Sequence, residues 1–234
     1  MRLFFAPDIT TPFYTFNEQE SKHIVRVLRF KEEDKLLLTD GKGYFYEAVV
    51  SEASPKRCTV KVLNKRQEEK HNYYLHIAIA PTKNIERFEW FLEKATEIGI
   101  DEITPILTKN SERKKIKKER LLKVVEAAMK QSHKAYHPKL NDLTSWVDFI
   151  KQDLSYDKKF IAHCYQQERE SLKQALNPKE SILIMIGPEG DFSLEEVQEA
   201  SLQNLKPLQL GDYRLRTETA GITSAHAVAF INER

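Results

Sequence analysis

Apolar and polar side chains alternate over short stretches in the first 70 residues, which is the pattern of half-buried β-strands. Short strands are indicated by the apolar run RLFFA, by the alternating segment RCTVKVLNK and by a hairpin-like DGKG turn between two β-rich segments. The segment NEQESKHIVRVLRF predicts a short helix with Ile24, Val27 and Leu28 on one face. This part of the chain is therefore predicted to form a small β-barrel.

From Tyr73 onward the apolar pattern changes to alternating strands and helices. Buried strands are indicated by YYLHIAIAP, DEITPIL, KKFIAHCY and SILIMIG. An amphipathic helix is indicated by NIERFEWFLEKATEIGI, with inward positions and a C-cap glycine at Phe88, Phe91, Leu92, Ala95 and Gly99. A basic helix is predicted from about Glu112 to Ala135. This βαβ order predicts a largely parallel sheet covered by helices, and the polar residues 64–72 form the natural linker to it.

Composition narrows the class of protein without identifying a partner. The 234 residues carry a formal net charge of only +2, and the segment KNSERKKIKKER concentrates seven basic residues against two acids. No apolar window is long enough for a membrane span, and the first residues lack a long apolar core, so we expect neither a membrane span nor a secretion signal. Cys58 and Cys164 are far apart and form no CxxC pair, so we expect a reducing cytoplasm with neither a disulfide framework nor a metal site.

The segment SILIMIGPEGDFSLEEV leads from a buried strand through two glycines into a helix start. Ser193 and Glu196 have the spacing of a capping box. Ligands of open α/β sheets bind beyond the carboxyl ends of strands, but the loop has neither a P-loop lysine nor the GxGxxG pattern. It therefore favours a backbone-lined pocket for a flat, uncharged group such as an adenine ring, with a plain turn as the alternative.

The segment LQLGDYRLRTETAGITSAHAVAFI repeats this arrangement. A short strand at residues 207–210 is followed by a glycine and by a long apolar helix that Thr217 or Thr219 can cap. One interpretation is a capped core helix with two solvated arginines, Arg214 and Arg216. The other is a second ligand loop that places a guanidinium beside an anionic or polar substrate.

Together these loops resemble the ribosomal RNA small-subunit methyltransferase E family. Three further segments resemble that family in the same order: HIVRVLRFKEEDKLLLTDGKG, ERFEWFLEKATEIGIDEITPI and EAAMKQSHKAYHPKL. The matching positions in the last two are Lys94, Glu97, Gly99, Gln131, Ser132 and Pro138. Two positions depart from the family pattern. Asp191 replaces a glycine but tolerates positive φ, and Lys134 replaces an arginine, which keeps the charge but loses a bidentate contact.

The resemblance implies an α/β protein with two domains. Residues 1–70 would form a PUA-like β-barrel that binds RNA, and residues 71–234 a SPOUT-type α/β domain with a trefoil knot. The family methylates N3 of a uridine in 16S ribosomal RNA with S-adenosylmethionine, so the expected partner is 16S rRNA in an assembled or nearly assembled small subunit, and a homodimer is expected. The cofactor-binding residues that the resemblance implies are His163, Ile186, Gly187, Pro188, Glu189, Gly190, Leu210, Gly211, Leu215, Arg216, Thr217, Glu218 and Ala220.

The reaction sets further expectations. A uridine N3–H must lose its proton before the nitrogen can attack a methyl group, so the site needs a cation and a proton acceptor. Arg216 is the expected cation. Glu189 and Glu218 are candidate bases, although Glu218 also suits the helix dipole, while His163 and His23 fit structural or RNA-facing roles better.

The RNA-binding residues are expected among exposed cations, because phosphate contacts dominate RNA affinity. The candidates are Arg2, Lys22, Arg26, Arg29, Arg113, Lys114, Lys115, Lys117, Lys118 and Arg120, with a solvated charged face as the alternative. Two other functions remain open. The chain could be a catalytically silent RNA-binding adaptor of ribosome assembly, or a small-molecule α/β enzyme such as a nucleotide hydrolase.

Overall fold

A computed structural model describes residues 1–10 and 12–233 of the chain. The protein is a mixed α/β structure that divides by its internal contacts into two units. The first unit combines Met1–Lys70 with the later segment Met129–His137. The second combines His71–Ala128 with the chain from Pro138 onward. The RNA-binding and catalytic roles assigned to the two predicted domains remain predictions.

The first unit is built on a five-stranded sheet with the order β1-β3-β4-β5-β2. Its elements are β1 (Leu3–Phe5), β2 (Phe13–Thr15), α1 (Glu18–Lys22), a π-helical turn (His23–Val27), β3 (Lys35–Thr39), β4 (Tyr44–Glu52) and β5 (Thr59–Gln67). The predicted hairpin is confirmed, because β3 and β4 pair antiparallel around the DGKG turn. The sheet encloses a core that includes Phe4, Ile24, Leu36 and Val60.

Two sequence predictions for this unit are wrong. Val27 was expected on the buried face but is 65% exposed. Its segment is π-helical, with Leu28 N–H donating to His23 O, and the wider turn moves Val27 off the face of Ile24. The linker also begins later than predicted, because β5 continues through Gln67 and stays paired with β4.

The second unit contains an eight-stranded sheet in which the neighbouring strands are parallel, as the βαβ pattern predicts. The order is β11-β13-β10-β12-β6-β7-β8, with β9 beside β7. Its elements are β6 (Tyr74–Ile79), α2 (Ile85–Ile98), β7 (Glu102–Leu107), α3 (Lys118–Gln131), β8 (Lys139–Leu140), β9 (Thr144–Ser145), α4 (Trp146–Ile150), β10 (Lys158–Ala162), β11 (Glu170–Ser171), α5 (Leu172–Ala175), β12 (Ser181–Ile186), α6 (Leu194–Leu202), β13 (Lys206–Gln209) and α7 (Thr217–Ile231). The last residues of α3 belong to the first unit.

Helix α2 follows its sequence closely. Asn84 caps its N-terminus by accepting a hydrogen bond from Glu86 N–H, and Gly99 ends it with φ 127°. The four predicted inward side chains are all fully buried. These residues form the core together with the apolar strands β6 and β12.

The basic helix is shorter than predicted. Helix α3 begins at Lys118 and ends at Gln131, not at Glu112 and Ala135. Its entry is held outside the helix because the Arg113 guanidinium donates to the carbonyl oxygens of Thr82 and Lys83, in the loop between β6 and α2. Its exit turns at His133, which has φ 52°.

None of the helices among the described residues is both long and apolar enough to cross a membrane. The trefoil knot remains a prediction.

Candidate functional site

A cavity of about 340 Å³ lies in the second unit, beyond the carboxyl ends of β10, β12 and β13. Most of the predicted cofactor residues line it: His163, Ile186, Gly187, Pro188, Glu189, Leu210, Gly211, Leu215, Arg216, Thr217 and Ala220. Gly190 and Glu218 do not line it. The loop after β12 and the loop before α7, which are far apart in the sequence, are therefore brought to one site.

The loop after β12 is a tight turn held by backbone contacts. Asp191 N–H donates to Pro188 O over 2.9 Å, and Asp191 has φ 63°. The left-handed conformation expected at the position where the family has glycine is thus present, and aspartate is among the residues that adopt it. A Cβ on Gly187 would come within 3.1 Å of the Phe192 ring, so a side chain at this position would press on the loop.

The carboxylate of Asp191 connects this loop to the end of β10. One oxygen accepts the Cys164 N–H over 2.8 Å, and the other accepts the Phe192 N–H over 2.8 Å. The Tyr165 hydroxyl donates to Phe192 O over 2.7 Å. The segment after β10 and the loop after β12 are therefore cross-linked by hydrogen bonds.

Gly190 lies on the far side of the same turn. The Asn110 side-chain amide donates to Gly190 O over 3.1 Å and to Asp191 O over 3.0 Å. A Cβ on Gly190 would stand 3.1 Å from the Asn110 Cβ. This glycine therefore allows close approach of the β7–α3 loop and shapes the cavity only indirectly. The capping box is confirmed, with Ser193 accepting from Glu196 N–H and Glu196 accepting from Ser193 N–H.

The second loop ends where α7 begins. The prediction that Thr217 or Thr219 caps this helix is wrong, because the N-cap is Arg216 and its side chain makes no capping hydrogen bond. Thr217 is the first helical residue, and its hydroxyl donates to Gly187 O over 3.0 Å. A contact with the other loop thus takes the place of a local cap.

Charged groups surround the mouth of the cavity. Arg214 donates to Glu189 O over 3.4 Å, and the Glu189 carboxylate accepts Lys83 N–H over 3.0 Å. Arg216 is exposed and makes no side-chain hydrogen bond or ion pair with the rest of the described chain. Its guanidinium is therefore available to a ligand at the cavity.

The two other candidate groups have different surroundings. Glu218 is buried on α7, with one carboxylate oxygen 3.8 Å from Arg87 Nε and the other without a hydrogen-bond partner among the described residues. His163 is buried in the cavity wall and bonded to Tyr165 N–H and the Gln167 side chain. Burial lowers the pKa of His163 below its ordinary value, which favours the neutral ring. His23 lies in the π-helical turn of the first unit.

The predicted RNA-binding cations fall into two groups. Four are held by the protein itself: Arg113 by the carbonyls of Thr82 and Lys83, Lys118 by Asp142, Arg120 by Glu89, and Lys22 by Glu18. The others are exposed without an ion pair in the described part of the chain: Arg2, Arg26, Arg29, Lys114, Lys115 and Lys117. The second group is the better candidate for contact with phosphate.

Lys134, which departs from the family pattern, is only partly exposed. Burial lowers its pKa, while the charge of Glu68 opposes that shift. Both residues belong to the first unit, and Lys134 is not among the residues that line the cavity.

Several residues that line the cavity were not identified from the sequence. Arg169 lines it and donates to His163 O over 2.8 Å, but its segment carries no motif that could have indicated this. Tyr213 and Asp191 also line it, and they could have been predicted because they lie inside the two loops that the sequence analysis identified.

Two family models match successive parts of the chain. Residues 68–229 match a family model described as an RNA methyltransferase domain, and residues 16–63 match one described as an RNA methyltransferase PUA domain. The Ribosomal RNA small subunit methyltransferase E of Mesomycoplasma hyopneumoniae is 29% identical over 95% of this chain and 96% of its own length.

Two solved structures are similar over nearly the whole chain. One, described as a probable rRNA-methyltransferase from Porphyromonas gingivalis, is 40% identical with a TM-score of 0.92, covering 99% of this chain and 98% of its own. Another, a methyltransferase from Legionella pneumophila in complex with the bound cofactor S-adenosylmethionine, is 25% identical with a TM-score of 0.87, covering 97% and 96%.

Proposed function

The chain belongs to the ribosomal RNA small subunit methyltransferase E family of RNA methyltransferases, and we propose that it methylates N3 of a uridine in 16S rRNA, using S-adenosylmethionine. The observation that carries the proposal is that the loop after β12 and the loop before α7 line the same cavity. The relatives' names support an rRNA substrate of the small subunit, and the Legionella structure supports the cofactor.

The cavity fits S-adenosylmethionine in size and in chemistry. Its volume of about 340 Å³ lies within the range of small-ligand pockets, about 300–1,000 Å³. Ile186, Leu208, Leu210 and Leu215 give it apolar walls suited to an adenine ring, and the backbone of the glycine-containing turns would bind the polar edge of that ring. The proposed cofactor-binding residues are the predicted ones that line this space: His163, Ile186, Gly187, Pro188, Glu189, Leu210, Gly211, Leu215, Arg216, Thr217 and Ala220.

The residues of the chain supply positioning and charge. Bound S-adenosylmethionine supplies an electrophilic methyl group on sulfur. N3 of uridine loses its proton and forms the new N–C bond as the S–C bond breaks. Arg216 is exposed at the cavity and has no side-chain partner among the described residues, so we assign it to stabilise the negative charge that develops on the uracil ring.

The proton acceptor is chosen by comparing the two candidate carboxylates. Glu189 lines the cavity, and its carboxylate is oriented by Lys83 N–H, whereas Glu218 lies outside the lining and close to Arg87. Glu189 is therefore the candidate base that we retain, and Glu218 the one we assign to the start of α7.

The RNA would be held by exposed cations of both units. Lys114, Lys115 and Lys117 are available in the second unit, and Arg26 and Arg29 lie within or next to the π-helical turn of the matched PUA region. We further propose a homodimer that acts in the cytoplasm on an assembled or nearly assembled small subunit.

The test is calorimetric titration with S-adenosylmethionine. Ala162 lines the cavity at the end of β10, so Ala162→Trp should fill it and abolish saturable binding, while Ala127→Trp on the exposed face of α3 should bind as wild type. Urea unfolding establishes that both variants fold. Mass spectrometry of rRNA from treated small subunits then locates the methyl group.

The results separate the proposal from its alternative. Saturable binding and a new 3-methyluridine in 16S rRNA support the enzyme. A folded wild-type protein that binds small subunits but never S-adenosylmethionine, with or without RNA, would instead be the RNA-binding adaptor.

A further inference from the structure

Tyr213 has an unusual position at the cavity. It is 88% exposed, the highest value among the large hydrophobic side chains exposed in the described part of the chain. It nevertheless lines the cavity, in the irregular segment between β13 and α7. The described structure gives its ring no hydrogen bond and no aromatic neighbour within the protein. The ring therefore contributes nothing to the core and is free to contact something outside it.

The solvent exposure of the lining residues increases from the floor of the cavity to its rim. Ile186 and Leu208 on the floor are 2% and 1% exposed. Tyr213 stands at the rim, between Asp212 and Arg214, both exposed. A ligand that fills the floor leaves most of the Tyr213 ring uncovered, so the ring suits a second ligand that enters after the first.

We infer that Tyr213 is the stacking platform for the pyrimidine base that enters the cavity to be methylated. The inference rests on the proposed function, because Tyr213 would bind the base that the proposed enzyme methylates at this site. A base inside folded RNA is stacked on its neighbours and has to leave them to reach an enzyme cavity. Proteins that read such bases replace the lost stacking with an exposed aromatic side chain.

The neighbouring charges fit the same occupant. Arg214 and Arg216 are exposed on either side of Leu215, immediately after the tyrosine. A nucleotide that brings its base onto the Tyr213 ring brings its phosphates with it, and guanidinium groups are their natural partners. Arg214 is held towards the cavity by its bond to Glu189 O.

The experiment compares Tyr213→Phe, Tyr213→Leu and Tyr213→Ala with wild type. The phenylalanine keeps the ring, the leucine keeps apolar contact without a ring, and the alanine removes both. Leu202→Ala is the matched control, because Leu202 is 81% exposed at the end of α6 and does not line the cavity. The substrate is small ribosomal subunits from cells that lack this protein. The readouts are kcat and KM for subunits and, separately, the Kd for S-adenosylmethionine.

Stacking predicts a graded loss. Tyr213→Ala should lower kcat/KM for subunits by about 5- to 150-fold, the range found for removing one base-stacking aromatic side chain. Tyr213→Leu should be nearly as impaired, while Tyr213→Phe and Leu202→Ala should resemble wild type. The Kd for S-adenosylmethionine should be unchanged in all four.

Three results would overturn the inference while leaving the proposed function intact: an unchanged kcat/KM in Tyr213→Ala, full activity in Tyr213→Leu, or a cofactor Kd that weakens in parallel with activity. A wild-type protein that binds S-adenosylmethionine but transfers no methyl group to subunits would overturn the proposed function itself, and with it the role of Tyr213.

Discussion

The Thr217 hydroxyl donates a hydrogen bond to the Gly187 carbonyl oxygen over 3.0 Å. The two residues are 30 positions apart, and each belongs to one of the two loops that line the cavity. Both are buried. This bond ties the first residue of α7 to the turn after β12, so it joins the two walls of the site at a buried point, in addition to the exposed bond from Arg214 to Glu189 O.

Removing that hydroxyl should loosen the site. Thr217→Val keeps the shape of the side chain but leaves the buried Gly187 carbonyl without its donor, which costs about 1–3 kcal/mol of unfolding free energy. Urea unfolding measures the loss, and calorimetry should show weaker S-adenosylmethionine binding. Thr219→Val, on the same turn but without a side-chain hydrogen bond among the described residues, is the control. Equal effects of the two substitutions would contradict the assignment.

Asp191 has a left-handed backbone conformation, and its carboxylate accepts two hydrogen bonds. Two substitutions separate the contributions of the backbone and the side chain to stability. Asp191→Gly keeps the left-handed conformation but loses the bonds to Cys164 N–H and Phe192 N–H. Asp191→Ala loses both bonds and adds about 1–2 kcal/mol of backbone strain. We expect urea midpoints in the order wild type, glycine, alanine. An alanine variant as stable as the glycine variant would show that φ is not constrained here.

Acid should destabilise the protein through His76. Its ring is buried between the hydroxyls of Tyr156 and Thr104, at 2.7 Å from each. Burial lowers the pKa of His76 from 6.5 to about 4, with Glu102 opposing the shift and Lys139 adding to it. As the pH falls, His76 therefore binds a proton in the unfolded chain before it does so in the folded protein. The unfolding free energy should fall by up to about 3 kcal/mol as the pH drops from 6.5 to 4.

A second acid-sensitive group acts at lower pH. Burial alone would raise the pKa of Glu102, but hydrogen bonds from Lys139, Tyr74 and Asn141 lower it from 4.5 to about 2. Its stabilising contribution is therefore present above pH 4.5 and is lost as the pH falls towards 2. Urea titrations of wild type and His76→Gln separate the two groups. Burial also lowers the pKa of His163, so part of the dependence between pH 6.5 and 4.5 belongs to that residue. The variant should lose the part that His76 contributes, and a full wild-type slope in that window would refute the role of His76.

The exposed lysines before α3 should carry part of the RNA affinity. Replacing Lys114 and Lys115 with alanine should reduce the salt dependence of small-subunit binding by about 1 per lysine. Filter binding over a range of salt concentrations measures this slope. The matched control is Lys151→Ala with Lys173→Ala, two exposed lysines elsewhere in the second unit. An identical slope in both double variants would show that the basic segment is a solvated charged face without a specific role in RNA binding.

Prediction from sequence succeeded where the determining contacts are local. The spacing of apolar residues gave α2, and the Ser193–Glu196 pair gave the start of α6, because a helix face and a capping box each lie within a few residues. The same local signal failed at α7, where the Thr217 hydroxyl bonds to Gly187, 30 residues away, instead of capping its own helix.

Non-local contacts also explain the other differences. The segment before α3 has helical composition, but Arg113 is bound to the carbonyls of Thr82 and Lys83, which only the folded chain brings near. Arg169 lines the cavity because it directly precedes β11, which pairs with β13 in the parallel sheet. No motif in its own segment indicates this position. The π-helical turn that exposes Val27 lies in a segment whose spacing suggested an ordinary helix.

The later segment of the first unit fixes when that unit can be completed. Ala135 O accepts from Gly43 N–H over 2.9 Å, and Ala135 N–H donates to the Glu68 carboxylate over 2.8 Å. As the chain leaves a ribosome, the N-terminal sheet lacks these partners until residue 137 has emerged from the exit tunnel. By then β6, α2 and β7 have already emerged. The two units of this protein are therefore synthesised interleaved, and the first cannot finish folding before the second has begun.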